Sequence, residues 1–200
     1  MDEDDVRREI QGAIWRLAGW PFHEVRAHRC PKCKTWIYPI SGRPDTVVPH
    51  PIRKSCVMEC KVVDVSQDRS FDVTQIRPRQ RRWLHNWSQA NGLSFLGLGT
   101  INEQPRKIWV IPWDIWIEIE NTYGIFQTEK YQVSGSIPID LEEYIHKGKR
   151  DHDLVQDLAD YAMVRSSNHW DFGPNHPIRT RLGYTEADVV PLNWEKGIPE

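Results

Sequence analysis

Two hundred residues with 39% hydrophobic content and a net charge of −2 suit one domain large enough to bury a sizeable core. The near-neutral balance excludes a broadly basic coat, so any nucleic-acid contact has to come from local patches. No stretch approaches the roughly 18 consecutive apolar residues of a membrane span, and the acidic start "MDEDDVRREI" is unlike a secretory leader, so a cytoplasmic protein with reduced thiols is expected.

Residues 4–18, "DDVRREIQGAIWRLA", carry Val6, Ile10, Ala13, Ile14 and Leu17 at helical spacing. Asp4 and Asp5 suit the positive N-terminus of that helix, and Gly19 is a plausible stop. Two strands are expected at about 24–29 and 35–38, joined by a turn that holds Cys30 and Cys33 in "HRCPKCKTW". That C-x-x-C spacing suits half of a structural zinc site. Of the other cysteines, Cys56 and Cys60 would lie roughly 13 Å apart on one strand at about 3.3 Å per residue. Completion of a site by Cys56 and one of His23, His28 or His50 therefore stands beside a reduced, metal-free hairpin, and the residues leave both readings open.

A turn, "PISGRPD", leads into a strand at Asp45–Val48, and the Pro-rich "PHPIRK" leads into a long strand at Ser55–Val63. In that strand Glu59 and Lys61 project to one face while Met58, Cys60 and Val62 project to the other. A short connection makes the two strands antiparallel neighbours, so Asp45 and Glu59 can meet across the sheet. Two close carboxylates resist joint ionisation unless a cation is shared between them. Oxygen donors of this kind suit Mg2+ or Mn2+, which keep waters and accept phosphate oxygens, and Lys61 beside them can offset charge on a phosphate. The bland alternative is a cross-strand salt bridge at a sheet edge.

Further on, a polar loop precedes the helix "RPRQRRWLHNWSQANG", with Pro78 in its first turn and Gly92 at its end. Arg77, Arg79, Arg81 and Arg82 make the most basic stretch of the chain, suited either to phosphate contact or to a solvated helix start. Leu93–Leu98 and Lys107–Ile111 read as buried strands, and "WDIWIEIENTY" leans towards helix. Two short helices are expected in "IPIDLEEYIHKG" and "DHDLVQDLADYAMV", and an irregular tail beyond Ser166. The order of elements predicts an α/β fold with a mixed central sheet flanked by helices. Most of the ten tryptophans are expected in the core or an interface.

The succession Glu9 in a first helix, "GRPD" at Gly42–Asp45, "ECK" at Glu59–Lys61, then Gln80, Leu84, Gly92 and Phe95 resembles the PD-(D/E)XK nuclease superfamily. It is most similar to the RecU-type and archaeal Holliday-junction resolvases and to VRR-Nuc domains, over residues 1 to about 116. The resemblance implies a restriction-endonuclease-like core at 1–119, with the C-x-x-C hairpin near 28–36 as an insertion and 120–200 as an extension packed on it. It implies that Asp45 and Glu59 hold the metal, that Glu9 completes the site, that Lys61 serves the scissile phosphate and that Gln80 joins them. Gln75 is a rival to Gln80, and Asp4, Asp5 and Glu24 are rivals to Glu9.

The implied activity is Mg-dependent DNA endonucleolysis on a branched or four-way junction, by a homodimer with no membrane association. A repair, restriction or genome-processing nuclease acting on duplex, flap or ends is the alternative within the superfamily. A non-catalytic, zinc-stabilised nucleic-acid-binding module is the alternative outside it.

Overall fold

The computed structural model describes residues 2–17, 45–47, 55–66, 69–125, 131–139, 161–166 and 168–182, with the backbone alone of 22–23, 28–29, 36–37 and 48. The chain begins with α1, Glu3–Arg16. Its start is fixed by a reciprocal cap in which the Asp2 carboxylate accepts from the Asp5 N–H at 2.9 Å and the Asp5 carboxylate from the Asp2 N–H at 3.1 Å. Glu3, Asp4 and Asp5 add negative charge to the positive end of the helix. Val6, Ile10, Ala13 and Ile14 form its buried stripe, as the helical spacing predicts.

The central sheet has five strands in the order β1-β4-β5-β7-β8, namely β1 Phe22–His23, β4 Thr46–Val48, β5 Cys56–Asp64, β7 Leu93–Ile101 and β8 Ile108–Pro112. Strands β5 and β7 run parallel, from Cys56 opposite Leu93 to Asp64 opposite Ile101, and the other pairs are antiparallel. A parallel neighbour requires a crossover, which is made through α2, Pro78–Gln89. The mixed sheet flanked by helices is thus the α/β architecture expected from the order of elements.

Helix α1 covers one face, where Val6, Ile10, Ala13 and Ile14 pack with Cys56, Met58, Cys60, Phe95 and Val110. Its close approach depends on two glycines of β7. A Cβ on Gly97 would lie 2.6 Å from Ile10 Cδ1, and one on Gly99 would lie 2.3 Å from Val6 Cγ2. On the other face α2 and α3, Trp113–Thr122, enclose Val57, Val63, Leu84, Leu96, Leu98, Trp109 and Ile111. The helical leaning of "WDIWIEIENTY" is borne out in α3. Helix α2 starts at Pro78 as expected, but the residue with positive φ at its end is Asn91, at 63°. Gly92 serves a different need, since a Cβ there would lie 2.2 Å from the Trp87 indole nitrogen.

Strands β2, His28–Arg29, and β3, Trp36–Ile37, pair antiparallel as the expected hairpin. The C-x-x-C turn between them, with Cys30 and Cys33, lies outside the described residues, as do His50 and Glu24. Three expectations are corrected. Ile137 and Pro138 belong to a strand, β9 Ser136–Pro138, that pairs with β6 Ser70–Asp72, so the helix expected in "IPIDLEEYIHKG" does not begin there. The helix expected in "DHDLVQDLADYAMV" does not extend over Met163–Ser166, which form strand β10 and pair antiparallel with β11, His169–Phe172. The hairpin is followed by α4, Pro177–Arg181. Met163, Trp170, Phe172 and Ile178 join the core beneath α1, so this part of the tail is regular and packed.

Candidate active site

The strand register makes the site. Thr46 is opposite Met58 and Val48 opposite Cys56, so the next residues in register are Asp45 and Glu59. Strand β4 stops there. The Cys60 N–H is taken by the Asp45 carboxylate at 2.7 Å, a side chain standing in for the next rung of the ladder. Asp45 and Glu59 are thereby held side by side, as alternation and a short connection predict.

Glu59 is 0% and Lys61 5% exposed, which excludes a solvated edge pair. The Lys61 ammonium donates to Glu59 Oε1 at 2.6 Å, and the Gln80 amide donates to the same oxygen. The second oxygen, Oε2, is buried with no hydrogen-bond partner. Burial, then the Asp45 charge, pushes the Glu59 carboxyl from 4.5 up to about 8, against the pull of Lys61. Burial works to lower the Lys61 ammonium, but Glu59, Glu3 and Asp45 more than offset it and hold it above its ordinary value. The Cys60 thiol, pushed well up by burial and then by Asp45 and Glu59, packs into the core as a neutral group.

Two further groups come from α1. Glu3 lies 3.4 Å from Lys61 Nζ, and the Gln11 amide donates to Thr46 Oγ at 2.9 Å, next to Asp45. The acid that α1 sets against Lys61 is therefore Glu3 and not Glu9. Helical phase explains this, because Glu3 lies one turn before Val6 and two before Ile10, in line with the buried stripe. Glu9 precedes Ile10 directly and falls to the side of that stripe, half-buried. Gln80 is the glutamine at the site. Gln75 lies in a short 3-10 turn, Val73–Gln75, and is exposed.

The basic stretch divides in two. Arg77, Arg79 and Arg82 are exposed. Arg81 corrects the expectation of phosphate contact, since it is 0% exposed and bonds both Glu120 oxygens, at 2.8 and 2.6 Å. It faces inward because it lies one turn before Leu84 on the packed side of α2. Cys56, a candidate zinc ligand, is 0% exposed and packs with Ala13, Ile14 and Met58.

Among the described residues no group of three or more His, Cys, Asp and Glu side chains stands together as a ready metal cage. Asp45 and Glu59 fit a hard divalent cation that keeps most of its waters. The orphaned Glu59 Oε2 supports that fit, because a buried carboxylate oxygen without a donor is costly. Such an ion, when bound, supplies an activated water and offsets phosphate charge.

No family model matches the chain, and no curated protein matches it. Among solved structures it is similar to the Holliday junction resolvase Hjc of Archaeoglobus fulgidus, an archaeal hyperthermophile. The TM-score is 0.40 at 11% identity, over 68% of this chain and 88% of that one. A likeness at that level carries no chemistry, which rests on the geometry of Asp45, Glu59, Lys61 and Gln80. No described helix is long and apolar enough to cross a membrane.

Glu3, Gln11 and Thr46 were missed by motif reading. The phase of α1 carries the signal for Glu3, at i−3 from Val6 on the buried stripe, whereas Gln11 lies off that stripe and has no such signal.

Proposed function

We propose that the protein is a metal-dependent DNA endonuclease with a restriction-endonuclease-like core, cutting branched DNA and preferring a four-way junction. The observation that carries the proposal is the Glu59 carboxylate. It is fully buried beside Asp45, shares one oxygen between Lys61 and Gln80, and leaves the other without a donor. A plain salt bridge needs neither the second carboxylate nor the orphaned oxygen.

In this reading Asp45 and Glu59 hold Mg2+ or Mn2+. Lys61, kept charged by three carboxylates, turns from Glu59 towards the anionic phosphate and steadies charge that grows during attack. Gln80 holds Glu59 Oε1, which leaves Oε2 as the oxygen that would meet the cation. Glu3 lies against the Lys61 ammonium and helps to keep it charged. Arg77, Arg79 and Arg82 meet flanking phosphates without reading sequence. Symmetric cutting of a junction requires two copies of the site, so the active form is a homodimer.

The test is cleavage of a labelled four-way junction in Mg2+ by wild type, Lys61→Ala and Asp45→Asn, beside linear duplex, flap and single strand. Paired symmetric nicks in the junction, lost in both variants, support the proposal. Cleavage of the other substrates in preference keeps the nuclease and removes the junction. Tight binding without cleavage of any substrate in Mg2+ or Mn2+ refutes the enzyme and favours a binding module.

A further inference from the structure

We infer that the buried Arg81–Glu120 pair is a positioning device that sets Gln80 on the Glu59 carboxylate. The consequence for catalysis rests on the nuclease reading; the positioning itself does not. Arg81 is the residue after Gln80 on α2, and every arm of its guanidinium is used. Nε donates to the Ile76 carbonyl at 3.2 Å, one terminal nitrogen to the Val73 carbonyl at 3.2 Å, and both terminal nitrogens to Glu120. Glu120 in turn accepts from the Trp116 indole at 2.7 Å, and the Arg81 guanidinium lies 5.7 Å from the Trp113 ring centroid. The fork therefore joins three things: the start of α2, the 3-10 turn before it, and α3.

That bracing controls one degree of freedom with a chemical consequence. Successive helix residues point about 100° apart, so fixing the direction of Arg81 fixes the direction of Gln80. Gln80 is itself held at both ends of its amide. Its nitrogen donates to Glu59, and its oxygen accepts from the Arg77 N–H at 2.9 Å. Rotation of α2 about its axis breaks the Glu59 bond first, because that bond crosses from helix to strand while the Arg77 bond turns with the helix. A buried ion pair is a poor source of net stability, since removing two charges from water costs about what their attraction returns. Its planar fork instead specifies one geometry, which a lysine cannot reproduce.

The experiment compares wild type, Gln80→Ala, Arg81→Lys and the Gln80→Ala/Arg81→Lys double variant by kcat, KM, thermal melting and the side-chain amide NMR resonance of Gln80. Glu120→Gln, which keeps the shape of the acceptor, carries the same measurements if Arg81→Lys fails to fold. A positioning role predicts a folded protein whose Gln80 resonance moves towards that of a free side chain. It predicts kcat down by roughly ten- to a hundred-fold with KM kept, and no further loss when Gln80→Ala is added. An unmoved Gln80 resonance, or losses in kcat that multiply in the double variant, overturns it and leaves a purely structural pair. If wild type cleaves nothing, the nuclease reading fails, and the resonance alone decides the positioning.

Discussion

The carboxyl of Glu59 makes the stability of the metal-free protein depend on pH in a defined window. In the unfolded chain this group titrates near 4.5; in the folded protein burial and Asp45 raise it to about 8. The folded state thus binds the proton more tightly than the unfolded one. The stabilisation from that proton is fully present below 4.5 and is lost as pH rises through about 8. At about 1.4 kcal/mol for each tenfold change in proton affinity, the loss across the window is at most about 5 kcal/mol. That figure is a ceiling, because rearrangement of Lys61 and Gln80 around the anion recovers part of it.

Glu59→Gln removes the titration. In urea melts with chelator present, the variant gains stability relative to wild type steadily from pH 4.5 to 8, by up to about 5 kcal/mol. Comparing the slopes rather than the absolute values sets aside the constant cost of leaving Lys61 without its main partner. Adding Mg2+ at pH 8 stabilises wild type by about 2.7 kcal/mol at a hundred times its dissociation constant, and leaves Glu59→Gln unchanged. A wild-type pH slope that persists in Glu59→Gln would falsify the assignment of the titration. An equal Mg2+ response in the two proteins would remove Glu59 from the cation site.

Glu3→Gln is expected to lower kcat at least several-fold while Glu9→Gln leaves it near wild type, because only Glu3 stands 3.4 Å from Lys61; single-turnover cleavage of both variants decides it, and the reverse order would reinstate Glu9. Arg79→Ala and Arg82→Ala each weaken DNA binding across all sequences and reduce the salt slope of log K by roughly 1, as read by fluorescence titration in Ca2+. Arg81→Ala acts on the fold instead, destabilising by about 3–5 kcal/mol because Glu120 is left buried and unpaired; a normal melt with a reduced salt slope would return Arg81 to the DNA surface. Gly99→Ala forces α1 off the sheet at Val6 and costs about 1–3 kcal/mol in urea unfolding.

How much of this was legible depended on which physical signal each residue carried. Asp45, Glu59 and Lys61 were legible because strand alternation and a short antiparallel connection leave little freedom: once β4 and β5 pair, the register puts Asp45 opposite Glu59. The long apolar strands and the Pro78 start of α2 were legible for the same reason, that local chemistry and global packing agree there. Met163–Ser166 was not. "YAMV" is as compatible with a helix as with a strand in isolation, and only pairing with His169–Phe172 decides it. The tail hairpin is likewise held by tertiary contact, Trp170 and Phe172 packing beneath α1.

Two charges teach the sharper lesson, because the place of each follows from helical phase: composition groups Arg81 with its neighbours, and the family resemblance points to Glu9 where Glu3 stands beside Lys61. Four neighbouring arginines look like one patch in a string, yet a helix turns about 100° per residue, so a run of cations cannot all face one ligand. The one that shares the packed side with Leu84 must be paired or it would not be there, and Arg81 is paired with Glu120. The same geometry separates Glu3 from Glu9. A carboxylate that is to reach the sheet has to leave the helix from the stripe that packs on the sheet, and Val6 and Ile10 define that stripe. Glu3 lies on its line and Glu9 lies off it, so the acid at Lys61 is selected by where the apolar side chains point rather than by its distance in sequence from the strand it serves.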